Sequence, residues 1–363
     1  MRVLILANSD IGLYRFRKEV LEEFVKSDEV FFCVPDGGFI KEIESLGCRF
    51  VPCNSLDRRG TNPIKDLKLL MTYLNLIKQI RPDVVLTYTI KCNVYGGLAC
   101  RLKRIPYLAN VTGLGTTIEN GGLLKKLSLT LYRIGLKRAR CVFFQNGQNM
   151  KLFTDNKIVR GKVKLIPGSG VNVETHRYEA YPPDRSCFRY LFVGRVMKDK
   201  GIEELLAAVG KLADEGKKVF LDVVGGSDED YTGMLAEFEK RNIVKYHGPQ
   251  SNVHAFYTQT HCVVLPSYHE GMANVMLEAA STGRPVITSR IPGCQETFEE
   301  GKTGYGCEPR DAVSLKDAME KMYRTPWEER RAMGIAGREK VAKEFNRQII
   351  IDAYQEQIDL ICK

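Results

Sequence analysis

The sequence predicts an α/β protein with two domains, each built on a parallel β-sheet with helices on both faces. Short apolar runs alternate with longer amphipathic stretches almost throughout the chain, which is the pattern of strands joined by crossover helices. A polar tract at residues 169–186 interrupts the alternation, and a second series of apolar runs follows it, so we interpret the tract as a linker. At 363 residues the chain is long enough to bury two cores.

The first series of apolar runs predicts a domain at residues 1–168. Helices are expected between its strands, and one is predicted at Ile64–Ile80, ahead of the turn at 81–83. The strands are predicted at Val3–Ala7, Val30–Val34, Arg49–Pro52, Val84–Tyr88, Tyr107–Val111, Cys141–Gln145 and Val163–Ile166.

The second series predicts a domain at residues 187–340, followed by a helical segment at 341–363. Its strands are predicted at Phe188–Val193, Val219–Val224, Val244–His247, Cys262–Leu265 and Pro285–Thr288. The chain from residue 311 onward has a helical apolar period throughout. The simplest architecture is a pair of Rossmann-like domains that face each other across a ligand cleft.

Composition excludes several protein classes. No run approaches the roughly 18 apolar residues of a membrane span, and the apolar start is too short for a signal peptide, so we expect a cytoplasmic protein. The eleven cysteines stand singly, which favours reduced thiols over disulfides or a zinc site. No G-x-G-x-x-G follows the first strand, which disfavours hydride chemistry on NAD.

The net charge of +10 is unevenly distributed along the chain. Residues 1–170 hold 28 Lys and Arg against 14 Asp and Glu, whereas the remainder holds 26 against 30. A basic half indicates an anionic partner such as lipid headgroups, a diphosphate-linked substrate or nucleic acid.

Two glutamates eight residues apart, Glu270 and Glu278, give the most specific chemical signal. The strand at Cys262–Leu265 ends in a loop that carries Glu270, and a helix is predicted to begin near Met272. Unpaired N–H groups at a helix start suit a phosphate, whereas carboxylates suit the hydroxyls of sugars and ribose. A glutamate pair at this spacing is also common on a solvated helix face; the combination with a strand end and a helix start favours a nucleotide-sugar site.

Two cations reinforce this interpretation. Gly194 and Arg195 follow the first strand of the second domain, and Lys200 precedes the next helix. Open α/β sheets bind ligands at the carboxyl ends of their strands. Cations at that edge neutralise the charge that grows on a departing diphosphate. The alternative is a charged surface loop.

The segment 266–287 resembles the E-x7-E signature of the family-4 retaining glycosyltransferases, and G-R-x4-K-G at 194–201 resembles another motif of that family. The resemblance extends through most of the chain and implies the GT-B fold, in which a C-terminal helix crosses back to the N-terminal domain. It implies catalytic contacts from Glu270, Arg195 and Lys200, and a ribose contact from Glu278. The predicted donor-binding residues are Gly12, Gly194, Gly271, Met272, Ala273, Asn274, Val275 and Glu278; Asn274 has the alternative role of a helix cap.

The first domain offers weaker candidates for acceptor binding. Arg15 and Arg17 are interpreted either as contacts to an anionic acceptor or as solvated helix charges. The segment 89–93 resembles a T-x-K-P-N motif of a bacterial polysaccharide subgroup, with Cys92 in place of proline, and makes Lys91 and Asn93 candidates. The segment 110–115 follows another predicted strand and is expected to line the cleft. Many family members carry a histidine in this region, but every histidine here lies at 176 or beyond, so Thr112 or its backbone is the substitute candidate.

A basic stretch at 123–140 carries six cations and no acid. As an amphipathic helix it suits an anionic membrane surface, and the alternative is an ordinary helix with a basic outer face. The candidate membrane contacts are Lys125, Lys126, Arg133 and Lys137. No recognised nucleic-acid-binding module is present, so nucleic acid is not expected as a partner.

These observations, together with the resemblance, predict a retaining, metal-independent transferase of a hexose or N-acetylhexosamine, with a nucleotide diphosphate sugar, such as a UDP-sugar, as donor. The expected acceptor is an undecaprenyl-diphosphate-linked glycan in capsule, O-antigen or exopolysaccharide assembly. We predict no cofactor and no metal, because no D-x-D pair follows a strand and residues 228–230 are interpreted as a turn and helix start. The alternatives are a nucleotide-sugar epimerase or hydrolase of the same fold, and a non-catalytic nucleotide-sugar-binding partner of a polysaccharide complex. The expected location is the cytoplasm, with peripheral attachment to the inner face of the cell membrane as a further expectation.

Overall fold

The computed structural model describes residues 1–56, 62–113, 122–184 and 187–362. The chain divides into two compact units. The first comprises Met1–Ser169 together with Arg347–Lys363, and the second comprises Gly170–Asn346.

The first unit contains a seven-stranded parallel sheet in the order β3-β2-β1-β4-β5-β6-β7. Its central strands are fully buried apolar runs, as expected of a sheet with helices on both faces. The strands are β1 (Arg2–Leu6), β2 (Glu29–Val34), β3 (Arg49–Pro52), β4 (Val84–Tyr88), β5 (Tyr107–Val111), β6 (Cys141–Phe144) and β7 (Lys162–Leu165).

Helices pack on both faces of this sheet and form two apolar cores. Apolar residues of α3, α4, α5 and α6 share one core with the strands, and those of α1 and α2 belong to the other. The helices are α1 (Asp10–Phe24), α2 (Ile40–Glu44), α3 (Pro63–Ile80), α4 (Gly97–Lys103), α5 (Gly122–Leu136) and α6 (Gly147–Asp155), and a π-helical turn at Cys92–Gly96 precedes α4.

The second unit contains a six-stranded parallel sheet in the order β10-β9-β8-β11-β12-β13. Its strands are β8 (Phe188–Val193), β9 (Val219–Val224), β10 (Val244–Tyr246), β11 (Cys262–Leu265), β12 (Val286–Ser289) and β13 (Gly304–Cys307). Its helices are α7 (Ile202–Asp214), α8 (Thr232–Lys240), α9 (His254–Gln259), α10 (Asn274–Ser281), α11 (Ala312–Arg324) and α12 (Trp327–Glu344).

The last helix, α13 (Arg347–Cys362), belongs to the first unit. It buries Ile350 and Ile358 in the same core as α1, and the hydroxyl of Tyr354 donates a hydrogen bond to Asn110 Oδ1 at 2.5 Å. The return of the C-terminal helix and the α/β fold class predicted from the sequence are therefore confirmed.

Two predicted boundaries need correction. Residues 170–184 do not form a free linker: Trp327 Nε1 donates to Pro182 O at 2.8 Å, and Arg330 forms an ion pair with Asp184, so this segment packs on the second unit. Residues 341–344 belong to α12 rather than to the returning helix. Phe345 then packs in a core cluster of the second unit before the chain crosses to the first.

Candidate functional site

The candidate site lies at the carboxyl ends of β8 and β11, which are neighbours in the second sheet. The loop after β8 leads to Lys200, and the loop after β11 leads to Glu270. Gly201 joins them closely: its φ is +71°, and a Cβ built there would lie 2.2 Å from the carbonyl oxygen of Pro266. Only glycine fits this crossing, which fixes the two loops side by side.

Lys200 and Glu270 form a hydrogen-bonded ion pair whose side chains are 18% and 13% exposed. Ser267 Oγ donates a second hydrogen bond to Glu270 Oε1 at 2.9 Å. The pair keeps a cation and a carboxylate together at the strand ends without a net charge. An incoming phosphate can therefore attract the ammonium group while the carboxylate becomes free to accept a sugar hydroxyl.

His269 precedes Glu270 in the same loop and was not selected from the sequence. Burial lowers the pKa of its imidazole, so the ring is neutral at neutral pH. A neutral ring adds no positive charge beside the Lys200–Glu270 pair.

Arg195 follows Gly194 at the end of β8, and its guanidinium forms an ion pair with Asp228. The arginine side chain is 43% exposed. Glu229 accepts the amide of Lys198 at 2.9 Å, so the acidic turn is fastened to the loop before Lys200. Residues 228–230 lie in the loop before helix α8, which begins at Thr232, later than the predicted helix start.

Helix α10 begins at Asn274, two residues later than predicted, with Ala273 as its N-cap. The amides expected to hold the ligand differ in availability. Ala273 N donates to Gly293 O at 2.7 Å and Asn274 N donates to Met272 O at 3.0 Å, so these two are already used. The amides of Met272 and Val275 have no hydrogen-bond acceptor within the described part of the chain.

The side chain of Asn274 is also available. It does not cap the helix, because the N-cap is Ala273, and its Oδ1 is buried with no hydrogen-bond partner among the described residues. Orphaned buried oxygens of this kind are uncommon and suit a ligand hydroxyl. Gly271 lies between Glu270 and this helix start.

Glu278 lies one to two turns further along α10, half-buried, and accepts a hydrogen bond from the Tyr257 hydroxyl at 2.9 Å. Tyr257 is fully buried, and burial raises the pKa of its phenol well above the usual range, so it stays a neutral donor. Leu277 is buried in the core. Sequence analysis missed Tyr257 because nothing local connects a tyrosine on α9 with a glutamate 21 residues later.

Arg284 is the largest fully buried side chain in the described structure and was also missed. Its guanidinium donates to main-chain carbonyls on three segments, including Tyr257 O at 2.7 Å and Glu179 O at 3.0 Å. Burial lowers the pKa of Arg284 to about 10, which still leaves it charged at neutral pH. It therefore holds α9 and the 170–184 segment against the end of α10.

The first-unit candidates at 12–17 lie on α1 in different environments. Gly12 donates its amide to Ser9 Oγ at 3.3 Å as part of the helix cap, and Arg15 is exposed. Arg17 is only 4% exposed, with its guanidinium 5.0 Å from the ring centroid of Tyr88. The expectation of a surface arginine at this position is therefore corrected: Arg17 packs inside the unit.

The acceptor candidates Lys91 and Asn93 also differ in their exposure. Lys91 Nζ donates to Asp66 Oδ1 at 2.7 Å and its side chain is 17% exposed. Asn93 has no exposed surface. Its Oδ1 accepts a hydrogen bond from Thr87 Oγ1 at 2.7 Å, and its Nδ2 donates one to Asn110 O at 2.8 Å. Asn93 therefore fixes the turn after β4 from behind rather than meeting an acceptor directly.

Thr112 is half-buried just after β5, and the predicted cleft-lining residues 114–115 lie outside the described residues. Of the candidate membrane contacts, Lys126, Arg133 and Lys137 are exposed and Lys125 is half-buried.

Among the described residues, no group of three or more potential ligands is arranged to hold a metal ion. Within the same residues no helix is long and apolar enough to cross a bilayer.

Comparison with known proteins identifies this arrangement. Residues 2–146 match the model of the "Glycosyl transferase 4-like" family, and residues 182–340 match that of "Glycosyl transferases group 1". A Campylobacter jejuni N,N'-diacetylbacillosaminyl-diphospho-undecaprenol alpha-1,3-N-acetylgalactosaminyltransferase is 26% identical over the whole of both chains. The capsular polysaccharide biosynthesis glycosyltransferase CapM of Staphylococcus aureus is 24% identical over 99% of this chain and 97% of its own.

The fold is shared with solved structures. Anabaena Alr3699/HepE in complex with UDP and glucose superposes with a TM-score of 0.81 at 18% identity, over 99% of each chain.

Proposed function

Because the chain belongs to the family-4 glycosyltransferases, whose GT-B fold it shares, we propose that it moves a hexose or N-acetylhexosamine from a nucleotide diphosphate sugar to a glycan acceptor, with retention of anomeric configuration and without a metal ion. The product serves surface polysaccharide assembly. The observation that carries the proposal is the juxtaposition of Lys200, Glu270 and the start of α10 at one sheet edge.

A UDP-linked donor fits this edge. Arg195 and Lys200 are the cations for the diphosphate, and the free amides of Met272 and Val275 add donors at a helix start. Glu278 accepts a ribose hydroxyl. The Anabaena neighbour holds UDP and glucose, which supports the choice of nucleotide.

Transfer proceeds by attack of an acceptor hydroxyl on the anomeric carbon from the face that the diphosphate leaves. The new bond joins the acceptor oxygen to the anomeric carbon, the bond to the diphosphate oxygen breaks, and the hydroxyl proton passes to the leaving phosphate. Arg195, Lys200 and the helix start stabilise the charge that develops on that phosphate. Glu270 orients the sugar.

The proposed acceptor is a glycan linked to a polyprenyl diphosphate. The C. jejuni relative is named for a diphospho-undecaprenol acceptor, and the excess of cations in residues 1–170 here suits a substrate held at an anionic membrane. We place the enzyme at the cytoplasmic face of the membrane, with Arg15, Lys91 and Thr112 as acceptor-side candidates.

The test is a donor panel of UDP-, GDP- and dTDP-sugars with the wild type and Glu270→Ala. Thermal shift reports binding, and released nucleotide reports slow hydrolysis and acceptor-dependent transfer. We expect stabilisation by one UDP-sugar and loss of turnover in Glu270→Ala. Unchanged activity in the variant, or no response to any donor, would contradict the proposal.

Metal independence has a separate test. Turnover should survive EDTA, because Arg195 and Lys200 supply the cations and the carboxylate of Asp228 is already paired. Loss of turnover in EDTA with recovery in Mg²⁺ or Mn²⁺ would contradict this part of the mechanism.

A further inference from the structure

Helix α3 exposes an apolar stripe that the fold of its own unit does not use. Ile64 is 79% exposed, Leu67 60% and Met71 51%. Positions i, i+3 and i+7 lie on one face of a helix, so the three side chains are neighbours. The opposite face is apolar too, and packs into the core through residues such as Leu69 and Tyr73.

The stripe belongs to a well-formed helix end rather than a frayed one. Asn62 caps the helix by accepting the amide of Ile64 at 2.9 Å, and Pro63 occupies the first turn. Both features favour a helix that starts at this point. Water therefore meets a preformed apolar surface.

Among the described residues of α3, the charges beside the stripe are positive. Lys65 and Lys68 are exposed on the same side of the stripe, next to Ile64. The only acid in α3, Asp66, faces the other way and is neutralised by Lys91. On α5, which packs against the same turn at 92–96 as α3 does, Leu127 is 54% exposed next to the exposed Lys126.

The stripe also lies at the functional edge of its sheet. Because α3 follows β3 and runs antiparallel to it, the first half of α3 lies at the carboxyl ends of the parallel strands, where α/β sheets bind ligands. Asp66 accepts hydrogen bonds from Lys91 at 2.7 Å and Tyr95 at 2.8 Å. The helix that carries the stripe therefore holds in place Lys91, a candidate residue for binding the acceptor substrate.

We propose that the first half of α3 inserts into the interface of an anionic bilayer and places the end of the sheet that carries Lys91 at the headgroups of a lipid-linked acceptor. This proposal rests on the proposed function, since only a membrane-borne acceptor makes such docking useful. Apolar side chains flanked by lysines are complementary to anionic lipid. A second copy of the chain is a poorer occupant, because it would bring the same lysines against one another.

The experiment is sedimentation with vesicles of phosphatidylcholine alone or with phosphatidylglycerol. Replacing the stripe in the triple variant I64S/L67S/M71S should lower binding to the anionic vesicles at least tenfold. Val313→Ser, an equally exposed apolar site at 69% on α11 of the other unit, is the matched control and should bind like the wild type.

Charge is tested separately. Lys65→Glu with Lys68→Glu should weaken binding roughly fivefold or more for each lysine and remove the preference for anionic vesicles. Lys103→Glu with Lys157→Glu changes the same charge on exposed positions of the same unit outside α3 and should have little effect.

Donor hydrolysis separates this proposal from the proposed function. All variants should hydrolyse the donor like the wild type, and stripe variants should lose transfer only to a vesicle-borne acceptor. Vesicle binding that the stripe and lysine variants leave unchanged would overturn the inference even if transfer is intact. Light scattering that shows a wild-type dimer and a monomeric stripe variant would overturn it in favour of self-association.

Discussion

The hydrogen bond from Tyr257 to Glu278 yields a quantitative prediction. Tyr257→Phe removes a single oxygen from a fully buried ring and leaves its packing intact. Glu278 then loses the donor that holds its carboxylate in one orientation. Tyr257 is a positioning residue, because it acts on the bound nucleotide sugar only through Glu278.

The magnitude follows from the charge and the exposure of the acceptor. A hydrogen bond to a charged group contributes about 1.5–3 kcal/mol. Glu278 is half-buried, so water can replace part of the lost interaction, and we take the lower end. About 1.5 kcal/mol corresponds to roughly tenfold weaker donor binding.

The assay is calorimetric titration of UDP, together with KM and kcat for the donor. Kd and KM should rise together and kcat should change little. Tyr190→Phe is the matched control: its hydroxyl is also fully buried in the second unit and donates one hydrogen bond, to Met319 O at 2.7 Å, away from Glu278. A Tyr257→Phe Kd within twofold of the wild type, or an equal loss in Tyr190→Phe, would refute the reasoning.

Three further predictions concern stability and charge. Burial lowers the pKa of His261 to about 4, below its unfolded value of about 6.5. The protein should therefore lose ~3 kcal/mol of stability as the pH falls from about 6.5 towards 4. Denaturant unfolding at several pH values should show this loss, and His261→Gln should reduce the dependence of stability on pH. Arg284→Met should destabilise the second unit by about 3 kcal/mol or more in the same assay, because buried carbonyls lose their donor, whereas the surface change Arg290→Ala should be nearly neutral. Asp228→Asn releases Arg195 from an exposed ion pair and should tighten UDP binding by up to roughly fivefold in a titration; weaker binding would contradict the assigned role of the arginine.

Much of the fold follows from local pattern. Strands such as Val84–Tyr88 are continuous apolar runs between turn signals, and the structure has them at the predicted bounds. Strand β13, by contrast, was not predicted: two of its four residues are glycines, which carry no strand signal, and its pairing with β12 is what orders it.

The candidate site also combines features that follow from local sequence with features that depend on long-range packing. The spacing of Glu270 and Glu278 is local and can be recognised in the sequence, whereas the side chain that pairs with each glutamate cannot. Lys200 pairs with Glu270 across 70 residues, and Tyr257 meets Glu278 only when α9 packs beside α10. Long-range pairs of this kind depend on strand order.

Helix α3 shows a different limit. Its sequence is apolar on two faces, so periodicity alone cannot decide which face enters the core. The structure buries Leu69 and Tyr73 and leaves Ile64 and Met71 in water. The sequence indicates the basic face of helix α5 directly, because charged residues can be counted. An exposed apolar stripe can be recognised only when the structure shows which apolar residues enter the core.

The most direct test of the proposed donor site is a titration of UDP into the wild type, Arg195→Ala and Arg290→Ala. The two arginines are matched, since both lie in the second unit, both are 43% exposed and both pair with carboxylates. Arg195 follows β8, the strand whose loop leads to Lys200, whereas Arg290 follows β12 and is paired with Glu300 and Glu308. We predict that UDP binds the wild type and Arg290→Ala equally and binds Arg195→Ala at least tenfold more weakly. Failure of the wild type to bind UDP, or equal affinities for all three proteins, would contradict the account.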